Sequence, residues 1–205
     1  MKKLQFVIYF IAISFASTAQ NWDINTLESI NPQNPNSVIM RGLTSSSYPV
    51  GAALPLTQFI VGYSTHNQKV QHQAWETVGS LGIAVVLGEG LKYAINRQRP
   101  YIKYPGEVHA YDVSETGRSF PSGHTTIAFA TATTLSLEYK KWYVIVPAYA
   151  WAAGIGYSRL YLGEHYTSDV LGGAVIGTGS AFLSHWLTKK ILRYRPPKYV
   201  QEIKN

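Results

Sequence analysis

Five apolar segments dominate the 205-residue sequence, set apart by connections that hold much of its charge. They run roughly over residues 48–63, 75–95, 124–137, 142–157 and 167–187. About 20 apolar residues span a bilayer as a helix, so these segments approach spanning length, several of them short or interrupted. Charged residues make up only 14% of the chain, where a soluble domain carries about a quarter. Aromatic residues stand at segment ends, at Tyr63, Trp75, Tyr139, Trp142, Tyr157 and Trp186, as in an interfacial belt. Gly172, Gly173, Gly177 and Gly179 would weaken a soluble helix, but small residues let membrane helices approach closely. The expected fold class is therefore all-α: a polytopic transmembrane helix bundle with five helices in the mature chain, six if the leader is retained.

The flanks fit this reading. Lys2 and Lys3 precede an apolar run over 4–15, and small residues follow at Ser17 and Ala19. Residues 1–19 therefore read as a signal peptide or as a first transmembrane helix. Residues 20–47, rich in Asn, Ser, Thr and Pro, read as an irregular N-terminal segment. Residues 48–190 form the expected membrane-embedded domain, and 191–205 a basic cytoplasmic tail. The net charge of +7 resides in Lys2, Lys3 and the run Lys189, Lys190, Arg193, Arg195, Lys198 and Lys204, set against Glu202; the remaining chain carries ten charges of each sign. That distribution matches a membrane-flanking tail, and with no recognisable motif it argues against nucleic acid as a partner. The absence of cysteine excludes disulfides and thiolate metal sites. Lys69, Lys140, Lys141 and the tail fall on one expected side, the cytoplasmic one. The long stretch 97–120, the start of the third segment and the end of the fourth then share the opposite face.

Three clusters on that face carry chemistry. In the first, Lys92, Asn96 and Arg99 recur at spacings of four and three, with Glu89 one turn before Lys92. On a helix these share a side, and charges within a membrane segment are costly enough to suggest function. In the second, Pro121-Ser122-Gly123-His124 opens an apolar helix. Free backbone amides at a helix start, a glycine that permits close approach and the Ser122 hydroxyl form an anion site. His124 stands where it can donate a proton to a bound phosphate ester. In the third, Ser158-Arg159 precedes His165 and Asp169, which are four apart. A carboxylate that holds one imidazole nitrogen leaves the other free to attack. Arg159 offers a planar fork to phosphate oxygens. Each cluster alone has a plainer reading: a snorkelling lysine paired with Glu89, an ordinary helix start, and a capping pair.

Together and in this order the clusters resemble the type-2 phosphatidic acid phosphatase family, in its membrane-bound lipid phosphatase branch. The family signature is Lys-x6-Arg-Pro, Pro-Ser-Gly-His and Ser-Arg-x5-His-x3-Asp. The chain has Lys92, Arg99, Pro100, Pro121, Ser122, Gly123, His124, Ser158, Arg159, His165 and Asp169 at those positions. The resemblance covers about 75–187. It implies that His165 attacks phosphorus and forms a phosphohistidine, that Asp169 orients His165, and that His124 protonates the leaving oxygen. Lys92, Arg99, Arg159, Ser122 and the Gly123 amide would hold the equatorial oxygens as charge develops. Three fixed cations and a helix start can do what a metal ion does elsewhere, so neither metal nor cofactor is expected. The expected partners are the bilayer and a phospholipid, polyprenyl or lipid A phosphate. Candidate substrates are undecaprenyl diphosphate, phosphatidylglycerol phosphate, phosphatidic acid and lipid A. The expected location is a bacterial inner membrane, multi-pass, with the active site facing the periplasm.

Of the other histidines, His66, His72 and His185 read as ordinary, and His109 as a solvated loop residue. Lys103, Glu107, Asp112, Glu115 and Arg118 fall in the loop on the catalytic face, where they could shape substrate choice. Three competing readings share part of this pattern. They are a soluble secreted acid phosphatase of the same superfamily, a vanadate-binding haloperoxidase and a non-catalytic membrane lipid-binding protein.

Overall fold

The computed structural model describes residues 22–115 and 117–191. The expected leader and nearly all of the expected basic tail lie outside the described residues. Helix α1 covers residues 22–30. It is followed by α2 (Val38–Ser64), α3 (Gln68–Ile95), the short α4 (Pro100–Lys103), α5 (Gly123–Glu138), α6 (Trp142–Tyr161) and α7 (Thr167–Ile191). Among the described residues there is no β-strand, only an isolated bridge between Pro105 and Val108.

Local chemistry sets several ends. Asn67 caps α3, its side-chain oxygen accepting from the amides of Lys69 at 3.1 Å and Val70 at 3.3 Å. Asn96 closes the same helix with a left-handed φ of 49°, a conformation asparagine tolerates. That turn corrects the expectation that Lys92, Asn96 and Arg99 share one helix face. The helix stops at Ile95, and Arg99 instead precedes α4.

The segment expected to be irregular over 20–47 is also corrected. Ile24 and Leu27, one turn apart in α1, are buried in a cluster with Val108, Leu160 and Tyr166. Burial of this small apolar face favours a helix where composition alone suggested a loop. Helix α2 likewise begins ten residues before the apolar segment expected at 48. The extended piece between α1 and α2 is confined to residues 31–37.

Helix α5 lies at the centre and contacts α2, α3, α6 and α7. Its buried residues are mostly Ala and Thr. Two of the threonine hydroxyls turn back on their own helix: Thr131 donates to the Ile127 carbonyl and Thr134 to that of Ala130, both at 2.9 Å. A dry helix interior can hold such hydroxyls because each finds an acceptor without leaving the helix. Gly173 and Gly177 of α7 face α5 so closely that a Cβ at Gly177 would sit 2.2 Å from the Thr126 carbonyl oxygen.

The surface inverts the pattern of a soluble protein. Val86, Val146, Val175, Phe182 and Trp142 are exposed, while Thr77, Ser80, Thr131 and Ser184 are buried. Outward apolar and inward polar side chains suit a bundle solvated by lipid. Two stretches among the described residues are long and apolar enough to cross a membrane, Gln68–Lys103 and Thr167–Ile191. Helices α2, α5 and α6 carry many Ser, Thr or Tyr residues. The 16 residues of α5 rise only about 24 Å. At the end where α3 starts and α7 finishes, His185 Nδ1 lies 2.6 Å from Glu76, and Gln58 donates to Glu138 at 2.6 Å.

Candidate active site

The opposite end of the bundle gathers every signature residue. Lys92 is in the last turn of α3, and Arg99 sits just before α4. Ser122 precedes α5, whose first turn holds Gly123 and His124. Ser158 and Arg159 lie in the last turn of α6, and Asp169 in the first turn of α7. His165 lies in the turn between α6 and α7 rather than on a helix with Asp169. The two nevertheless meet, His165 Nδ1 lying 3.5 Å from Asp169 Oδ2.

The start of α5 is open to an anion. Ser122 makes no side-chain cap to its own helix, and its hydroxyl accepts from Thr125 at 3.0 Å. The first amides of such a helix point outward without partners. A Cβ on Gly123 would lie 3.1 Å from the Tyr48 hydroxyl and 3.7 Å from Lys92 Nζ. Glycine therefore leaves space where a lysine ammonium and a helix start converge. Lys92 itself pairs with Glu89 at 2.9 Å. The His124 ring meets the Tyr48 ring edge-on, with centroids 4.7 Å apart.

Asp169 is completely buried and strongly held. Its Oδ1 accepts from Arg97 Nη1 at 2.8 Å. Its Oδ2 accepts from the Ser119 hydroxyl and from the Tyr166 amide, the latter at 3.0 Å. Three donors fix the carboxylate against His165, itself only 2% exposed. Burial pushes the His165 imidazole down to about 4, although Asp169 acts in the opposite direction. The ring is consequently neutral near pH 7 and retains a nitrogen lone pair.

Two buried arginines complete the site. Arg99 donates to the carbonyls of Gly117 at 3.2 Å and Glu164 at 3.1 Å, and it pairs with Glu115. Arg159 donates to Thr44 at 2.8 Å and pairs with Glu164. Burial pushes the Glu164 carboxyl up from its ordinary value, against the pull of Arg159 and Arg99. A mouth of about 330 Å³ is lined by Glu89, Lys92, Arg99, Glu115, Gly117 and Arg118. A second cavity, of about 120 Å³, runs from Ala84, Val85 and Ile127 to Lys92 and Gly123. Cations, a helix start and a neutral histidine thus lie beside an apolar recess, a setting with the chemistry to hold an anion next to an apolar group.

Several site residues escaped the sequence reading. Tyr48 and Thr44 come from α2, and Glu164 directly precedes His165. Arg97 is two positions before Arg99; it also stacks on Tyr166 at 3.6 Å. Asp23 of α1 accepts from Arg97 at 2.6 Å and from the Ser168 amide at 2.7 Å. His109, expected to be a solvated loop residue, has its backbone held on both sides by Asn31 at 2.8 Å. Ser158 turns its hydroxyl to the Ile155 carbonyl at 2.7 Å. Arg118 donates to Asn96 at 2.8 Å and covers the Tyr93 ring.

Known proteins resemble this chain. The chain is 37% identical over 105 residues to an undecaprenyl-diphosphatase of Sulfolobus acidocaldarius, covering 51% of this chain and 50% of that protein. It is 35% identical over 119 residues to a lipid A 1-phosphatase of Porphyromonas gingivalis, covering 56% of this chain and 24% of that protein. The chain thus spans half or less of these relatives. The crystal structure of Aquifex aeolicus LpxE superposes with a TM-score of 0.64 at 28% identity, covering 84% of this chain and 96% of that one. The family model for the PAP2 superfamily matches residues 73–193, more than half the sequence and all of the signature. The chain therefore belongs to the PAP2 superfamily.

Proposed function

We propose that the protein is a membrane phosphatase that hydrolyses the phosphate monoester or diphosphate of a lipid. The observation that carries this reading is the convergence of a buried, neutral His165 with Asp169, Arg99, Arg159, Lys92 and the open start of α5 at one end of the bundle. His165 attacks phosphorus through its free nitrogen while the bond to the leaving oxygen breaks. His124 gives that oxygen a proton. Lys92, Arg99, Arg159, Ser122 and the Gly123 amide stabilise the charge on the equatorial oxygens. Water, losing its proton to His124, then displaces the phosphoryl group from His165 and releases phosphate. Asp169 steadies the imidazole and its developing positive charge throughout. The charge supplied by the three cations leaves no step that calls for a metal.

The inverted surface and the apolar recess beside Lys92 support entry of the substrate sideways from the bilayer. They favour this reading over a soluble acid phosphatase. We read the five long helices as the crossings, with the catalytic end facing the periplasm, because Lys69, Lys140 and Lys141 belong to the other end. Residues 48–190 are the membrane-embedded phosphatase domain, to which α1 adds its own contacts. Undecaprenyl diphosphate, lipid A, phosphatidylglycerol phosphate and phosphatidic acid remain the substrate candidates, the first two being those named for the relatives above. The test is phosphate release by the purified protein in detergent from each of these lipids. Wild-type protein should release phosphate from at least one, and the His165→Ala variant from none. Release by the variant at wild-type rates would remove the nucleophile assigned here.

A further inference from the structure

The two guanidinium groups assigned to the phosphoryl oxygens share one buried carboxylate. Arg159 pairs with Glu164 through Nη2. Arg99 Nη1 lies 3.8 Å from the same carboxylate oxygen and also donates to the Glu164 backbone carbonyl at 3.1 Å. Arg99 is 4% exposed, Arg159 3% and Glu164 4%. Two cations this dry repel each other and are costly without a counter-charge. Glu115, which also pairs with Arg99, has a side chain 47% exposed. It can swing into water when a phosphoryl group arrives; Glu164 has no such exit. Arg159 Nε, meanwhile, is buried and has no hydrogen-bond partner among the described residues. A dry, unused N–H points to an acceptor that arrives with the ligand.

We infer that Glu164 is a positioning residue for phosphoryl transfer, its fixed carboxylate holding the forks of Arg99 and Arg159 in one geometry while the substrate phosphoryl group displaces Glu115. The inference rests on the phosphatase reading above. It has two opposed consequences. Glu164 aligns the donors, which raises the rate of the chemical step. Its negative charge also weakens the pull of the site on any anion.

The test uses the full chain in detergent, with the lipid that wild-type protein turns over fastest and with orthovanadate as inhibitor. Glu164→Gln keeps the shape and removes the charge. It should lower kcat about tenfold and make orthovanadate several times more inhibitory. Glu164→Asp keeps the charge but withdraws it by one methylene. It should lower kcat while leaving orthovanadate inhibition at the wild-type level. A residue with a merely structural role would weaken rate and inhibition together. An active wild type whose Glu164→Gln variant is unchanged, or binds orthovanadate no better, overturns this inference alone. If Glu164→Gln does not fold, a Glu164→Asp variant with wild-type kcat overturns it. A wild type that releases phosphate from no lipid overturns the phosphatase reading and this inference with it.

Discussion

Arg97 Nη1 donates to Asp169 Oδ1 at 2.8 Å, so an arginine outside the family signature secures the carboxylate that faces His165. The same guanidinium reaches Ser168 at 2.6 Å and Asp23 at 2.6 Å. It thereby ties α1, the end of α3 and the start of α7 into one assembly. Small misplacements of catalytic groups cost about a hundredfold in rate. Arg97→Ala should lower kcat by about that factor in a phosphate-release assay. Arg97→Lys, which keeps the charge but not the fork, should recover only part of the loss. Full activity in Arg97→Ala would show that Asp169 needs no such support.

The acid side of the pH dependence follows from His165. His165 has an ordinary value of 6.5 and is pushed down to about 4 in the folded protein. It stays neutral and nucleophilic down to that pH, so kcat/KM should fall on the acid side with an apparent midpoint near 4. A rate that holds level from pH 7 down to about 5 fits this reading. A fall already centred near the ordinary value of 6.5 would show that burial does not keep His165 neutral.

The same shift links pH to stability. The unfolded chain takes up a proton at His165 below 6.5, and the folded chain resists it down to about 4. The contribution of His165 is therefore fully present above 6.5 and is lost as pH falls from 6.5 towards 4. The slope should reach up to about 1.4 kcal/mol per pH unit. Melting temperatures in one detergent across that window, for wild type and His165→Gln, should diverge in slope.

The close approach of α5 and α7 separates two glycines that look equivalent in sequence. A Cβ at Gly177 would lie 2.2 Å from the Thr126 oxygen and 2.8 Å from the Ala130 nitrogen, both rigid backbone, while one at Gly179 meets nothing within 4 Å. Gly177→Ala should destabilise by about 1–3 kcal/mol. Gly179→Ala should be neutral or stabilise by up to about 1 kcal/mol. Thermal melts in the same detergent should therefore move in opposite directions or, for Gly179→Ala, not at all.

Asn31 offers a test of the N-terminal helix. Its side chain donates to the carbonyls of His109 at 2.8 Å and Tyr161 at 2.9 Å, and accepts from the His109 amide at 2.8 Å. Gly163 packs into the same spot at a φ of 70°, where a Cβ would collide with the His109 oxygen. Losing the Asn31 amide leaves these partly buried groups short of partners. Asn31→Ala should cost about 1–3 kcal/mol, read as a lowered melting temperature with KM raised more than for a surface variant such as Ser29→Ala.

The helices and the signature were legible in the sequence because each depends on local pattern. Hydrophobic runs mark α2, α3, α5, α6 and α7, and fixed spacings mark Lys92, His124, His165 and their neighbours. The partners that hold those groups were not legible, because they arrive from far along the chain. Asp23 reaches Ser168 across 145 positions, and Thr44 reaches Arg159 across 115. Helix α1 was hidden because its apolar face amounts to little more than Ile24 and Leu27 amid polar residues. The supposed common face of Lys92 and Arg99 failed at one residue: Asn96 takes a left-handed turn that no periodicity reveals. Glu164 stood in plain view beside His165, yet its place between two arginines depends on how α4 and α6 converge.

Asp23, Asn31, Thr44 and Tyr48 all lie upstream of residue 73, where the family match begins. A shortened protein starting there would display an intact fingerprint and still lack the brace behind Arg97, the acceptor for Arg159 and the ring against His124. Recognition by motif and competence to react are thus carried by different stretches of this polypeptide, and grafting or trimming experiments should keep both.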